Sequence, residues 1–128
     1  MIVDSSALVA VVFQEPDYEV IIDKLLASES TGIGTPTLVE VGIVLNARLG
    51  KDSRTLLSRM LGEFDIIEVP FGEPHWPEAL SAYRRFGRGR HAANLNFGDC
   101  LSYAVAHLAD EPLLFVGADF AATDLAAA

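Results

Sequence analysis

Short runs of consecutive apolar residues alternate along this chain with longer segments whose apolar positions recur every three or four residues. Ile2-Val3 comes first and ends in Asp4, which reads as a short buried strand closed by a carboxylate. Ala7 to Phe13 reads as a short helix, stopped by Glu15-Pro16-Asp17. Asp17 is expected to cap a second helix running to Glu29, with Val20, Ile21, Leu25 and Leu26 on its apolar side. Gly32-Ile33-Gly34-Thr35 predicts a second strand, after which Pro36 and Thr37 open a third helix that reaches Leu49. A fourth helix, Asp52 to Glu63, carries Leu56, Leu57, Met60 and Leu61 at helical spacing. Asp65 to Pro70 predicts a strand, and Pro74 to Phe86 a fifth helix bearing Trp76 and Tyr83. A Gly/Arg-rich loop leads to a sixth helix, Phe97 to Asp110, then an apolar strand, Pro112 to Val116. Gly117 to Thr123 reads as a turn with a short helical piece, and Ala126 to Ala128 as a frayed tail.

Strands alternating with helices predict an α/β fold, a parallel sheet covered on both faces. Residues 1–128 read as one domain, without repeat or linker. The order of the strands does not follow from this pattern.

Apolar residues make up 51% of the chain and mean hydropathy is +0.32, so either the core is generous or a partner covers some apolar surface. Candidate surfaces are Val9, Val11, Val12 and Phe13 on the first helix and the apolar third and fourth helices. One is expected to form a homodimer and another to receive an amphipathic segment of a partner. The longest apolar run, Ala7 to Phe13, is far short of the roughly 20 residues that span a bilayer. No basic n-region precedes it, so the chain reads as cytoplasmic, without a membrane partner. The single Cys100 excludes an internal disulfide or a Cys-rich zinc cluster and reads as a buried thiol. His75, His91 and His107 have no ligand spacing, so oxygen would hold any metal. A net charge of −9 argues against nucleic acid as a partner on total charge alone. Yet Arg84, Arg85, Arg88 and Arg90, four of the nine bases, fall together in Tyr83 to His91.

Four acids stand in settings that are unusual for a surface. Asp4 ends the first strand. Glu40 is the only charge in the run Thr37 to Leu45, apolar nearly all round a helix and therefore expected to be buried. Asp99 lies among Phe97, Gly98, Cys100 and Leu101, and Asp119 follows the last strand and a Gly-Ala turn. Each has a local explanation. Asp4 can cap the first helix, Thr37 to Glu40 fits a capping box, Asn96 can cap a helix with Asp99 in its first turn, and Asp119 can cap the piece that follows it. Asp124 is a further acid or a turn former. Taken together, the four lie at strand ends or helix starts on one plausible sheet edge, where α/β folds bind ligands. Two carboxylates about 4 Å apart repel by roughly 4 kcal/mol at an effective dielectric of about 20, so such a cluster needs protons or a cation. Oxygen ligands without Cys or His select Mg²⁺ or Mn²⁺, which activate water and clamp phosphate oxygens.

Ile2-Val3-Asp4-Ser5-Ser6-Ala7-Leu8, Thr37-x-x-Glu40, Leu95-Asn96-Phe97-Gly98-Asp99-Cys100 and Leu113-Leu114-Phe115-x-Gly117-x-Asp119-Phe120-x-x-Thr123-Asp124 resemble the PIN-domain ribonuclease toxins of the VapC family. The resemblance runs the length of the chain, in order. It implies a PIN-like three-layer α/β/α sandwich on a mostly parallel sheet, and a Mg²⁺-dependent endoribonuclease, with Mn²⁺ a possible substitute. It implies the toxin half of a type II toxin–antitoxin pair, with a cognate antitoxin as partner and RNA as substrate. Carried over by motif, Asp4, Glu40, Asp99 and Asp119 are the catalytic and metal-binding acids, Asp4 and Asp99 foremost. Ser6, Thr123 and Asp124 are supporting polar groups. The chain departs where Val116 and Ala118 stand in place of a lysine and an acid common in the family, which removes charge near the site but no motif acid.

The leading reading is hydrolysis of RNA phosphodiesters by metal-activated water, and the resemblance implies products with a 5′-phosphate and a 3′-hydroxyl. Arg84, Arg85, Arg88, Arg90 and His91 are candidate RNA-binding residues, with Tyr83 or Phe86 available for stacking. One alternative is a receiver-like phosphoacceptor domain, which needs an acid pair at the first strand and a late lysine; only Lys24 and Lys51 are present. Another is a catalytically silent PIN-like binding module.

Overall fold

Neighbouring residues Ile2 and Val3 bury into different cores, because successive strand residues point to opposite faces of a sheet. That alternation organises the computed structural model, which describes all 128 residues. The elements run β1 (Ile2–Val3), α1 (Ser5–Val12), α2 (Tyr18–Ala27), β2 (Thr31–Gly34), α3 (Thr35–Leu49), α4 (Arg54–Glu63), β3 (Ile66–Val69), α5 (His75–Phe86), α6 (Phe97–Ala109) and β4 (Leu113–Leu114). A 3₁₀ turn, Phe120–Ala122, follows. The four strands lie in the order β3-β2-β1-β4, all parallel, with Ile2 in register with Gly32 on one side and Leu113 on the other.

Val3, Ile33, Ile66 and Leu114 face one way, against Leu8 of α1, Leu25 of α2, Val41 and Leu45 of α3 and Met60 of α4. Ile2 and Leu113 face the other, against Ala82 of α5 and Tyr103, Val105 and Ala106 of α6. The result is the expected three-layer sandwich, with helices on both faces of a parallel sheet. No helix is long and apolar enough to cross a membrane.

β2 carries glycine at both positions that face α6. A Cβ on Gly34 would stand 2.9 Å from Val105 Cγ2, and one on Gly32 would stand 3.2 Å from Ile2 Cδ1. Glycine at position 34 lets α6 lie close on the sheet.

Several expectations are corrected. Asp17 does precede α2, but its φ of 67° is left-handed and its side chain makes no capping bond. Val20 and Leu26 point outward, leaving Ile21 and Leu25 as the core contacts of α2. The near-continuous apolar run of α3 is not buried all round: Val39 and Ile43 are exposed, because only one stripe of the helix meets the sheet. On α1, Val9, Val11 and Val12, with Phe13 at its C-terminal cap, are partly buried against the core. The tail is not frayed. Leu113 N donates to Ala126 O and Ala128 N to Leu113 O, both at 2.9 Å, and Lys24 Nζ reaches Ala128 O at 2.7 Å. β4 is an edge strand, and its unpaired backbone groups are met by this tail.

Candidate active site

Asp4 ends β1 and is only 3% exposed. Strand alternation sends its side chain to the face of Ile2, where α6 packs. Oδ1 accepts a 2.6 Å hydrogen bond from Ser102 Oγ, and Oδ2 accepts from Ser6 N at 3.1 Å and Ser6 Oγ at 2.6 Å. Asp4 therefore caps α1 while facing α6. Ser6 Oγ also accepts from Val116 N at 3.0 Å, which ties the end of β1 to the segment after β4. Ser102 Oγ and Thr37 Oγ1 lie 3.2 Å apart, so a buried hydroxyl of α3 extends the network.

Asp99 and Asn96 form a reciprocal cap at the start of α6: Asp99 N donates to Asn96 Oδ1 at 2.9 Å, and Asn96 N to Asp99 Oδ2 at 3.0 Å. Burial pushes the Asp99 carboxyl up to about 6, against the lowering effect of the Asn96 N–H, and the charges of Asp4, Asp119 and Glu40 push the same way. Glu40 lies against Gly98, where any Cβ would collide with its carboxylate. Thr37 does not form a capping box with Glu40; α3 begins at Thr35 behind Gly34, and the Thr37 hydroxyl turns to Ser102. Asp119 precedes the 3₁₀ turn and makes no side-chain capping bond. Four acids from four places in the sequence thus share one electrostatic field at the carboxyl edge of the sheet.

The donor chemistry of this set, carboxylate oxygens around an Asp99 whose charge the others disfavour, fits a hard divalent cation. No three of the acids stand close enough here to close a coordination shell by themselves. Cys100 is buried, and burial with the Asp99 charge lifts its thiol to about 11, so it is no nucleophile at neutral pH.

Thr123 and Asp124 do not join the cluster. Thr123 Oγ1 donates to Phe120 O at 2.7 Å and accepts from Leu125 N, closing the turn. Asp124 accepts a 2.7 Å hydrogen bond from the Tyr103 hydroxyl and pairs with Arg85 at 3.6 Å. Burial alone would raise the Asp124 carboxyl. The Tyr103 bond, its own N–H and the charges of Arg85 and His107 outweigh that and hold it low.

The arginines divide. Arg85 Nη2 donates to Tyr103 Oη at 2.7 Å, so its guanidinium is committed inward. Arg84, Arg88 and Arg90 are exposed and form no ion pair. His91 Nδ1 accepts from Ala93 N at 3.0 Å, and its ring meets Phe86 edge-on. Phe86 also packs on Tyr103, which removes it as a stacking platform. The loop that carries these residues is closed at its base, Arg88 N donating to Leu95 O and Leu95 N to Phe86 O, both at 2.9 Å.

Sequence reasoning missed Ser102 and gave Thr37 another role. Ser102 follows Asp99 by three residues, the spacing that puts two side chains on one helix face. That signal was present. Nothing local announces the Thr37 contact, which spans 65 positions.

A model of the PIN domain matches residues 1–125. Ribonuclease VapC36 of Mycobacterium tuberculosis is 44% identical over 126 residues, covering 98% of this chain and 91% of that protein. Ribonuclease VapC of Mycolicibacterium smegmatis is 39% identical over 127 residues, covering 99% and 98%. Among solved structures, the sarcin–ricin loop cleaving toxin VapC20 of Mycobacterium tuberculosis superposes with a TM-score of 0.80 at 15% identity, covering 99% and 97%. A chain of a toxin–antitoxin complex from Klebsiella pneumoniae gives 0.71 at 14% identity, covering 96% and 92%. At such identities the two structures speak for the fold alone.

Proposed function

The chain belongs to the PIN domain family, and on that premise we propose that it is an endoribonuclease, the toxin of a type II toxin–antitoxin pair. The observation that carries this reading is the Asp99 carboxyl, raised by burial and by the charges of Asp4, Asp119 and Glu40. Three further carboxylates that bear on the charge of Asp99 support a cation as the ligand of this site. Mg²⁺, or Mn²⁺ in its place, would be held by Asp4, Asp99, Glu40 and Asp119, and would supply a water of lowered pKa and offset the charge that develops on the phosphate.

The chain's own residues do the remaining work. Ser6 and Ser102 fix both oxygens of Asp4, so that carboxylate cannot swing away when a phosphate approaches. The Asn96 cap fixes Asp99 in the same way. Arg84, Arg88 and Arg90 are free to meet RNA phosphates, whereas Arg85 serves the packing of α5 on α6. Hydrolysis would leave a 5′-phosphate and a 3′-hydroxyl.

The partners of this reading are an RNA substrate, a cognate antitoxin and a second copy of the chain, in the cytoplasm. Exposed Val39 and Ile43 on α3 are available to a protein partner. A receiver-like domain is set aside by the family match; Lys24 is bound to the C-terminal backbone. The test is cleavage of a panel of structured RNAs with and without Mg²⁺, read by end-mapped sequencing, with Asp4→Asn as control. Specific ends that require Mg²⁺ and vanish in the variant support the reading. No cleavage of any RNA would leave a silent binding module in its place.

A further inference from the structure

Phe97 is the first residue of α6 and is 79% exposed, the most open of the large apolar side chains. It stands two positions before Asp99. On one side of it runs a groove of about 650 Å³ between α5 and the start of α6, walled by Trp76, Leu80, Tyr83 and Phe97. Asn96, whose side chain accepts from Asp99 N, lines the same groove, so one wall residue is shared with the cap that holds Asp99. Its one charged wall residue is Arg88, a cation on a chain of net charge −9. Arg90 sits over the outer ring of Tyr83, 5.7 Å from its centroid.

We infer that this groove receives an unstacked base of the RNA, close to the bond that is cut. The inference rests on the endoribonuclease reading and extends it to how the substrate is gripped. Three features select a nucleotide as occupant. Trp76, Tyr83 and Phe97 offer π-faces to a base. Arg88 and Arg90 supply positive charge where the backbone of that base would pass. Asn96 and Phe97 line the groove and stand within three positions of Asp99, so a base seated there lies beside the acidic site. Proteins that recognise single-stranded RNA loops splay bases onto such aromatic surfaces.

Trp76 is the only tryptophan in the chain, so it reports on this groove without interference. The experiment uses the full chain carrying Asp4→Asn, titrated with a single-stranded RNA of random sequence, about 12 nucleotides long and so within the usual site sizes for such strands. A second titration uses an oligonucleotide of the same length with abasic positions throughout. The RNA is expected to quench Trp76 saturably, and the abasic strand to bind more weakly and leave the emission unchanged. Adding Phe97→Ala is expected to weaken RNA binding about fivefold or more, as loss of one stacking surface does. Equal binding of the two strands without quenching, or a Phe97→Ala variant with undiminished RNA affinity, would overturn the inference. Undiminished RNA affinity together with loss of a co-expressed antitoxin would assign the groove to protein docking instead. Cleavage assays on the wild-type chain keep the two levels apart. Mg²⁺-dependent cleavage with a silent Trp76 defeats only the groove, while absence of both cleavage and binding defeats the nuclease reading beneath it.

Discussion

Ser102 donates a 2.6 Å hydrogen bond to Asp4 across 98 positions of sequence, and this bond joins α6 to the end of β1 inside the candidate site. Asp4 is nearly inaccessible to water, so its charge depends on such donors. Ser102→Ala removes one and is expected to lower stability by about 1.5–3 kcal/mol, the range for hydrogen bonds to charged groups. RNA cleavage should fall with it. The pair can be isolated by a double-mutant cycle with Asp4→Ala in thermal denaturation, where coupling near zero would show that the bond contributes nothing.

Asp4→Asn should behave differently in the absence of metal. Asparagine caps helices as well as aspartate does. Ser102 can accept from the new amide and donate to Thr37, so the network survives. The substitution also removes a charge that opposes Asp99. The expected result is a higher Tm in EDTA and loss of the rise that Mg²⁺ gives the wild type. A lower Tm in EDTA would mean that the capping charge outweighs the repulsion.

The raised Asp99 carboxyl sets a pH dependence. Its folded value of about 6 lies above the ordinary 3.8, so the folded chain binds this proton more tightly than the unfolded chain does. The stability that follows is complete below the unfolded value and is lost as pH rises through about 6. Without metal, Tm should therefore increase as pH is lowered from about 7.5 toward about 5, and Asp99→Asn should flatten that slope. Protons and a cation compete for the same oxygens, so Mg²⁺-dependent cleavage should decline below about 6. A Tm in EDTA that is flat over this window in the wild type would contradict the assignment.

Gly98 and Glu40 predict a separation of stability from activity. A Cβ at position 98 would meet the Glu40 carboxylate, the free end of a flexible side chain. Gly98→Ala should therefore displace Glu40 with little loss of stability, within about 1 kcal/mol, since alanine also favours the helix. Cleavage is expected to fall about tenfold or more, with a rate-limiting step altered at the site rather than in folding. Equal loss of Tm and activity would mean that the helix start, not Glu40, has been disturbed.

The basic residues should sort by their partners. Arg85→Ala and Tyr103→Phe break the bonds that hold Asp124 and are expected to lower stability by about 1–2 kcal/mol without changing the salt dependence of RNA binding. Replacing Arg84, Arg88 and Arg90 with alanine should leave Tm nearly unchanged. It should reduce the slope of log affinity against log salt by about 0.7 for each RNA phosphate that is no longer neutralised. An unchanged slope would remove these three from the RNA interface.

Periodicity alone carried much of this protein. Short apolar runs and three-to-four-residue repeats placed every helix and strand within a few positions, and the odd setting of Asp4, Glu40, Asp99 and Asp119 marked the acids. Such patterns are local consequences of backbone geometry, so they survive in one dimension. What the chain could not state by itself was who meets whom. The strand order β3-β2-β1-β4 puts β1 in the middle of the sheet, and Gly34 of β2 lets α6 settle close beside it. Only then does Ser102 reach Asp4, Arg85 turn inward to Tyr103 and Asp124, and the tail pair with Leu113. Each of these joins distant segments, fixed by how whole layers pack rather than by any residue's neighbours in sequence.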